Sequence, residues 1–188
     1  MRKSFLHTDQ LNTPIGLLLL TSDGESLLRI DYMSENKLFE VQHWADKHFQ
    51  QVELQPIEDQ VLEDAKQQLT EYFTEKRQTF DIPIVFLGTD FQRRVWQALY
   101  EDVPYGLTQT YKGIAAAIHH PNAVRAVGGA VNKNPLSIIV PCHRIVGSNG
   151  KLVGYNGGLD KKQYLLDHEL TGLFYGMIAI RPSIASIY

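Results

Sequence analysis

Cys142 is the only thiol in this 188-residue chain, set in the run Ile139-Val140-Pro141-Cys142-His143-Arg144-Ile145-Val146. The thiolate is the nucleophilic form of cysteine, and nearby cations favour it. Here an imidazole and a guanidinium follow the thiol directly. The apolar residues before it equally suit a buried, inert thiol, and the run alone leaves both readings open. A structural zinc site needs several Cys and His ligands at short, regular spacings, which one Cys and scattered His do not supply. No intrachain disulfide can form, and the low cysteine usage fits a reducing, cytoplasmic setting.

The elements around this run would have to position it. Thr110 can cap a short helix through Ile118, His119-His120 ends it, and Pro121 suits the first turn of another helix running to about Val131. Two short helices joined by a tight turn have the helix-turn-helix layout, whose second member is presented to DNA. That second helix has one basic residue, Arg125, among Ala123, Ala126, Val127, Gly128 and Gly129. Small residues allow close approach to the sugar-phosphate walls, as minor-groove binding requires. They also allow tight helix packing, and the two readings stand side by side.

Charge separates along the chain. Residues 1–85 hold 8 Lys/Arg against 15 Asp/Glu, whereas residues 86–162 hold 9 against 4. A basic segment beside an acidic one points to nucleic acid as a partner of the basic part. No stretch approaches the roughly 20 apolar residues of a membrane span, so no membrane partner is expected.

The organisation divides near residue 88. Residues 4–7, 15–22 and 26–32 read as strands, with turn chemistry at Asn12-Thr13-Pro14 and Ser22-Asp23-Gly24. Residues 35–49 and 58–74 read as helices, the latter with Val61, Leu62, Ala65, Leu69, Tyr72 and Phe73 on one stripe. Residues 79–86 suggest another strand. Nothing in this half carries recognisable chemistry, and it reads as a supporting domain. Asp90 is a candidate cap for a helix over 91–101 with Phe91, Val95, Trp96 and Leu99 inward. The expected units are therefore 1–87, 88–173 and a tail, 174–188, containing Arg181-Pro182-Ser183.

From Phe91 to Glu169 the chain resembles the O6-alkylguanine-DNA alkyltransferases. The matching segments are Phe91-Gln92-Arg93-Arg94-Val95-Trp96, Val103-Pro104-Tyr105-Gly106, Arg125-Ala126-Val127-Gly128, and Asn134-Pro135 through Pro141-Cys142-His143-Arg144. Gly154-Tyr155-Asn156-Gly157-Gly158-Leu159 and Leu165-Leu166-Asp167-His168-Glu169 follow in the same order. The resemblance implies a two-domain α/β (α+β) fold: a ribonuclease-H-like sheet domain with helices, then a helical, winged-helix-like domain. It implies suicidal transfer of an alkyl group from O6-alkylguanine in double-stranded DNA, with O4-alkylthymine a further candidate. A monomer is the simplest assumption, and the sequence has no dinucleotide or S-adenosylmethionine cofactor fingerprint and no Cys-based metal site.

The residue roles follow from the same resemblance. Cys142 accepts the alkyl group, His143 acts as base through a bridging water, and Glu169 orients His143. Tyr111 protonates the leaving base, and Asn134 braces the reactive turn. Arg125 fills the gap left by the flipped nucleotide, with Ala123, Ala126, Val127, Gly128 and Arg144 also at the DNA. Val153, Gly154, Tyr155, Asn156 and Gly157 line the base pocket. The chemistry fits these residue types. Displacement at an sp3 carbon needs a soft, charged nucleophile and no oxyanion hole, and the alkylated atom is reachable only after base flipping. The product thioether has no bond that water readily cleaves, so each molecule would react once.

Some positions depart from the family pattern. Asp90 stands where Pro is frequent, Thr110 where Ser is common, and no acidic residue follows Gly106. His119-His120 replaces a more usual Gly, and the N-terminal half lacks the Cys ligands with which some relatives bind zinc. Two rival readings are a non-catalytic protein that recognises alkylated DNA, which the presence of Cys142 opposes, and a cysteine hydrolase. A papain-like hydrolase draws its His from a distant position, unlike the Cys142-His143 pair.

Overall fold

The computed structural model describes the backbone of residues 4–179 and the side chains of 5–173. Its N-terminal half is a four-stranded sheet with two helices. Strands β1 (Ser4–Thr13), β2 (Gly16–Ser22) and β3 (Leu27–Tyr32) form an antiparallel meander, and β4 (Val52–Gln55) joins β1 in parallel, giving the order β3-β2-β1-β4. A parallel neighbour requires a crossover, and α1 (Lys37–His48) supplies it. The turns fall where Asn12-Thr13-Pro14 and Ser22-Asp23-Gly24 place them. β1 runs six residues beyond the four expected because Thr8 to Thr13 pair with β2 while mixing polar and apolar residues.

Helix α2 (Gln60–Phe73) lays its stripe on this sheet, with Leu62, Ala65, Leu69 and Tyr72 fully buried. Burying one such large apolar side chain contributes about 1.5–3 kcal/mol. Its N-cap, Asp59, accepts from Leu62 N at 2.7 Å, from Ser22, and meets His7 at 2.8 Å. One carboxylate thus ties β1, β2 and α2 together. Burial would raise its pKa, but the Ser22, Leu62 and His7 contacts hold it below the usual value.

The expected strand over 79–86 does not form. Pro83 has no N–H to continue a ladder, and only single contacts to the sheet survive: Leu27 N to Pro83 O at 2.8 Å and Val85 N to Leu27 O at 3.2 Å.

The C-terminal half is helical. Helix α3 (Asp90–Asp102) is capped by Thr89 rather than Asp90, because Thr89 accepts from Gln92 N while the Gln92 side chain accepts from Thr89 N. This is a capping box, which places the cap one residue earlier. Thr110 does cap α4 (Tyr111–Ala117), accepting from Gly113 N at 3.0 Å. The partner helix α5 begins at Val124 and ends at Asn132, so Pro121 sits in the preceding turn and not in the helix. His119 in that turn has φ +60. That is left-handed backbone, which explains why glycine suits the position.

Trp96 Nε1 donates to Ala130 O at 2.8 Å, fastening α3 to α5. A two-stranded parallel sheet, β5 (Gln109–Thr110) with β6 (Ile145–Val146), and α6 (Leu159–Ala179) complete this half. α6 runs across the expected boundary between 173 and 174. Residues 180–188, with Arg181-Pro182-Ser183, lie outside the described residues. The halves join at the sheet edge, where Ile30 N donates to Pro135 O at 2.8 Å.

Candidate active site

Pro141 leads into a single 3₁₀ turn, Cys142–Arg144, which sends Cys142 to Asn134 and both His143 and Arg144 to Glu169. Cys142 is 5% exposed and lines a cleft of about 520 Å³ between α5 and the loop 153–156. Burial pushes its pKa up, offset in part by the Asn134 amide, which donates to Sγ at 3.1 Å, and by the Lys162 ammonium. Asn134 Nδ2 also donates to Val140 O at 2.8 Å, and its Oδ1 accepts from Leu136 N at 3.1 Å. Asn134 thereby closes the loop 134–142 onto the thiol.

His143 is fully buried, and its Nε2 lies 2.8 Å from Glu169 Oε1. Burial lowers the imidazole pKa more than the carboxylate raises it. For Glu169, burial favours the neutral acid, yet His143 and Arg144 hold the carboxyl far below its usual range. An ionised Glu169 accepts, so Nε2 carries the proton and Nδ1 keeps a lone pair. Nδ1 has no hydrogen-bond partner among the described residues.

Arg144 is also buried. Its Nε donates to Glu169 Oε2 at 2.9 Å, Nη2 donates to Oε1 at 3.0 Å, and Nη1 donates to Val103 O at 2.6 Å. These bonds correct its expected place at the DNA: the guanidinium faces inward as counter-ion to Glu169. Val127 is corrected likewise, since its side chain is fully buried in the core. Arg125 and Ala126 are exposed on α5, with Ala123 and Gly128 half-buried beside them.

The cleft also touches Tyr111, Val124, Arg125, Gly128, Val153, Gly154, Tyr155 and Asn156. The Tyr111 hydroxyl donates across it to Val153 O at 3.1 Å, and burial raises its pKa. Gly157, expected to line the pocket, is not among the residues that line the cleft. A Cβ there would come within 2.5 Å of the Tyr32 ring.

Three side chains escaped the sequence reading. Lys162 on α6 is fully buried, and its Nζ donates to Ile145 O at 2.5 Å, Val153 O at 2.8 Å and Gly154 O at 3.3 Å. The polar Lys161-Lys162 pair gave no hint that one member turns inward. Tyr32, at the end of β3, meets the Tyr155 hydroxyl at 2.7 Å. Tyr72 on α2 donates to Glu169 Oε1 at 2.8 Å. Both tyrosines come from the half read as purely supporting, and only the apolar stripe signalled Tyr72.

Residues 4–86 match the family model of the 6-O-methylguanine DNA methyltransferase ribonuclease-like domain, and residues 90–171 match that of its DNA-binding domain. A methylated-DNA–protein-cysteine methyltransferase of Methanosarcina barkeri is 41% identical over 169 residues, covering 89% of this chain and 99% of the relative. This chain belongs to that family. The inducible family member of Bacillus subtilis is 47% identical over 137 residues, covering 72% of this chain and 75% of its own length. The crystal structure of Mycobacterium tuberculosis O6-methylguanine methyltransferase superposes with a TM-score of 0.76 at 38% identity, covering 88% of this chain and 93% of that one. The Mycobacterium tuberculosis protein solved in complex with DNA gives 0.75 at 37%, with 88% and 94% covered.

Membership makes the chain a DNA-repair methyltransferase that moves an alkyl group from DNA onto a protein cysteine, with a DNA-binding C-terminal half. No helix among the described residues is long and apolar enough to cross a membrane.

Proposed function

We propose that Cys142 accepts the alkyl group from O6-alkylguanine in duplex DNA, once per molecule. The observation carrying this reading is the buried His143–Glu169 pair, whose Nδ1 has no hydrogen-bond partner among the described residues and whose His143 directly follows the cleft-lining thiol in the same 3₁₀ turn. A buried thiol with a raised pKa needs a local base. A neutral imidazole held by an ionised carboxylate is such a base, reaching Sγ through one water.

The proton leaves Cys142 for His143 Nδ1, and the thiolate attacks the alkyl carbon. The S–C bond forms as the C–O6 bond breaks. The guanine takes a proton from Tyr111 as it leaves, and the proton held by His143 returns through solvent to balance the transfer. Tyr111 must release Val153 O to do this. In this reading Arg125, exposed on a helix of small residues, enters the base stack while the alkylated nucleotide occupies the cleft. O4-alkylthymine carries the same kind of alkyl–oxygen bond and is a second substrate in this reading. One chain supplies every group named, which supports action as a monomer. A free Cys142 suits a reducing, cytoplasmic compartment.

The test is incubation with a duplex radiolabelled on the O6-methyl group, followed by peptide mapping. One equivalent of label on Cys142 and none on Cys142→Ala, which should still bind DNA, is the expected result. Label elsewhere refutes the site. Binding without transfer makes the protein a damage sensor instead.

A further inference from the structure

Glu169 receives four groups drawn from three places in the fold. His143 and Arg144 reach it from the Cys142 turn, and Gly106 N donates to Oε2 at 3.0 Å from the loop after α3. The fourth is Tyr72, which arrives from the sheet domain, fully buried, at 2.8 Å from Oε1. Tyr72 and His143 share that oxygen. The Tyr72 ring is fixed by neighbours on several sides. Tyr105 lies edge-on with centroids 6.0 Å apart, Phe73 likewise at 5.2 Å, and Phe80 and His168 are tilted against it. Its hydroxyl therefore cannot swing away without repacking α2 against α6.

We propose that Tyr72 is a positioning residue for alkyl transfer, a donor from the ribonuclease-like domain that sets how tightly Glu169 holds His143. The proposal rests on the reading of His143 as the proton acceptor. A carboxylate oxygen that accepts several hydrogen bonds binds each donor less strongly, so each added donor weakens its pull on the imidazole. Tyr72 tempers Glu169, keeping His143 neutral at the pH where it must accept a proton. Among the described residues, the other charged and titratable groups against the pair and Tyr72 are Arg144, Tyr105, His168 and, across the turn, Cys142 and Lys162. Glu75 acts on Tyr105 from the end of α2. None of these changes in Tyr72→Phe, which removes one oxygen and keeps the ring.

The experiment measures single-turnover transfer from the radiolabelled duplex across about pH 5–9, using the full chain and Tyr72→Phe. The acid limb of the variant should move to higher pH by about half a unit or more. In a Glu169→Gln background the same substitution should produce no further shift. An unmoved acid limb, with or without a uniform drop in rate, makes Tyr72 a packing residue only and overturns the proposal. Should Tyr72→Phe fail to fold, 3-fluorotyrosine at position 72 keeps the volume and strengthens the donor. The limb should then move to lower pH, and no movement again refutes the role. If the unmodified chain transfers nothing to Cys142, the underlying reading fails instead, which the same wild-type control shows.

Discussion

Between His7 and Ser22 the backbone satisfies itself. β1 and β2 pair without interruption from His7–Ser22 to Thr13–Gly16, and side chains such as Asp59 add ties to a ladder that already exists. Between Lys133 and Gly158 the chain forms little more than one 3₁₀ turn and the two-residue β6. There, buried side chains supply what a ladder would: Asn134 closes 134–142, Arg144 takes Val103 O, and Lys162 gathers three carbonyls. The difference predicts that the reactive half is the more sensitive to the loss of a single side chain. A lost side chain beside the sheet leaves the ladder's own backbone bonds in place, whereas a lost side chain in the irregular segment leaves several buried backbone groups unsatisfied.

The sharpest way to break this comparison is Lys162→Met, which keeps the stem and deletes the ammonium. Three carbonyls lose their donor, so the chain should lose about 3 kcal/mol or more, with transfer to Cys142 falling alongside. A melting temperature equal to wild type would show that the loop holds itself.

Acid should strike the reactive half first. The folded pKa of His143 is depressed from 6.5, so below that value the unfolded chain binds a proton that the folded one refuses, and stability falls with falling pH. The stability from Glu169, whose folded pKa is also depressed, is present above its ordinary value of 4.5 and is lost only at lower pH. Thermal melts of wild type should therefore decline from about pH 6.5 downward, and His143→Gln should flatten the decline between 6.5 and 4.5. An unchanged slope in the variant would remove His143 as its source.

The smallest expected effect lies in the sheet domain. Asp59→Ala removes the α2 cap and its ties to His7 and Ser22, and should cost about 1–2 kcal/mol. Transfer at temperatures well below melting should match wild type, because Asp59 touches nothing in the cleft. A specific loss of transfer would mean that α2 registers the site through its cap as well as through Tyr72.

Much of this could be read from order along the chain. The Thr110 cap, the α2 stripe and the turns at Asn12-Thr13-Pro14 and Ser22-Asp23-Gly24 are short-range patterns, and the structure has them where they were expected. Asp90 and Pro121 misled because a capping box and a left-handed turn each moved a helix start by one to three residues. Residues 79–86 misled because an apolar run containing Pro83 can touch a sheet without joining it.

At the site, sequence alone put Cys142 beside His143 and named Glu169, Asn134, Tyr111 and the loop 153–157, of which Gly157 is not among the cleft-lining residues, because the motif and the resemblance are linear. It could not tell that Arg144 and Val127 turn inward, since one helical or 3₁₀ turn carries neighbouring side chains to opposite sides. Nor could it find Tyr72, 97 residues from Glu169, or Tyr32, 123 residues from Tyr155. Periodicity and capping act over a few residues and leave their mark in the sequence. Contacts between halves depend on how two finished surfaces dock, and only the tertiary structure decides which hydroxyl meets which carboxylate.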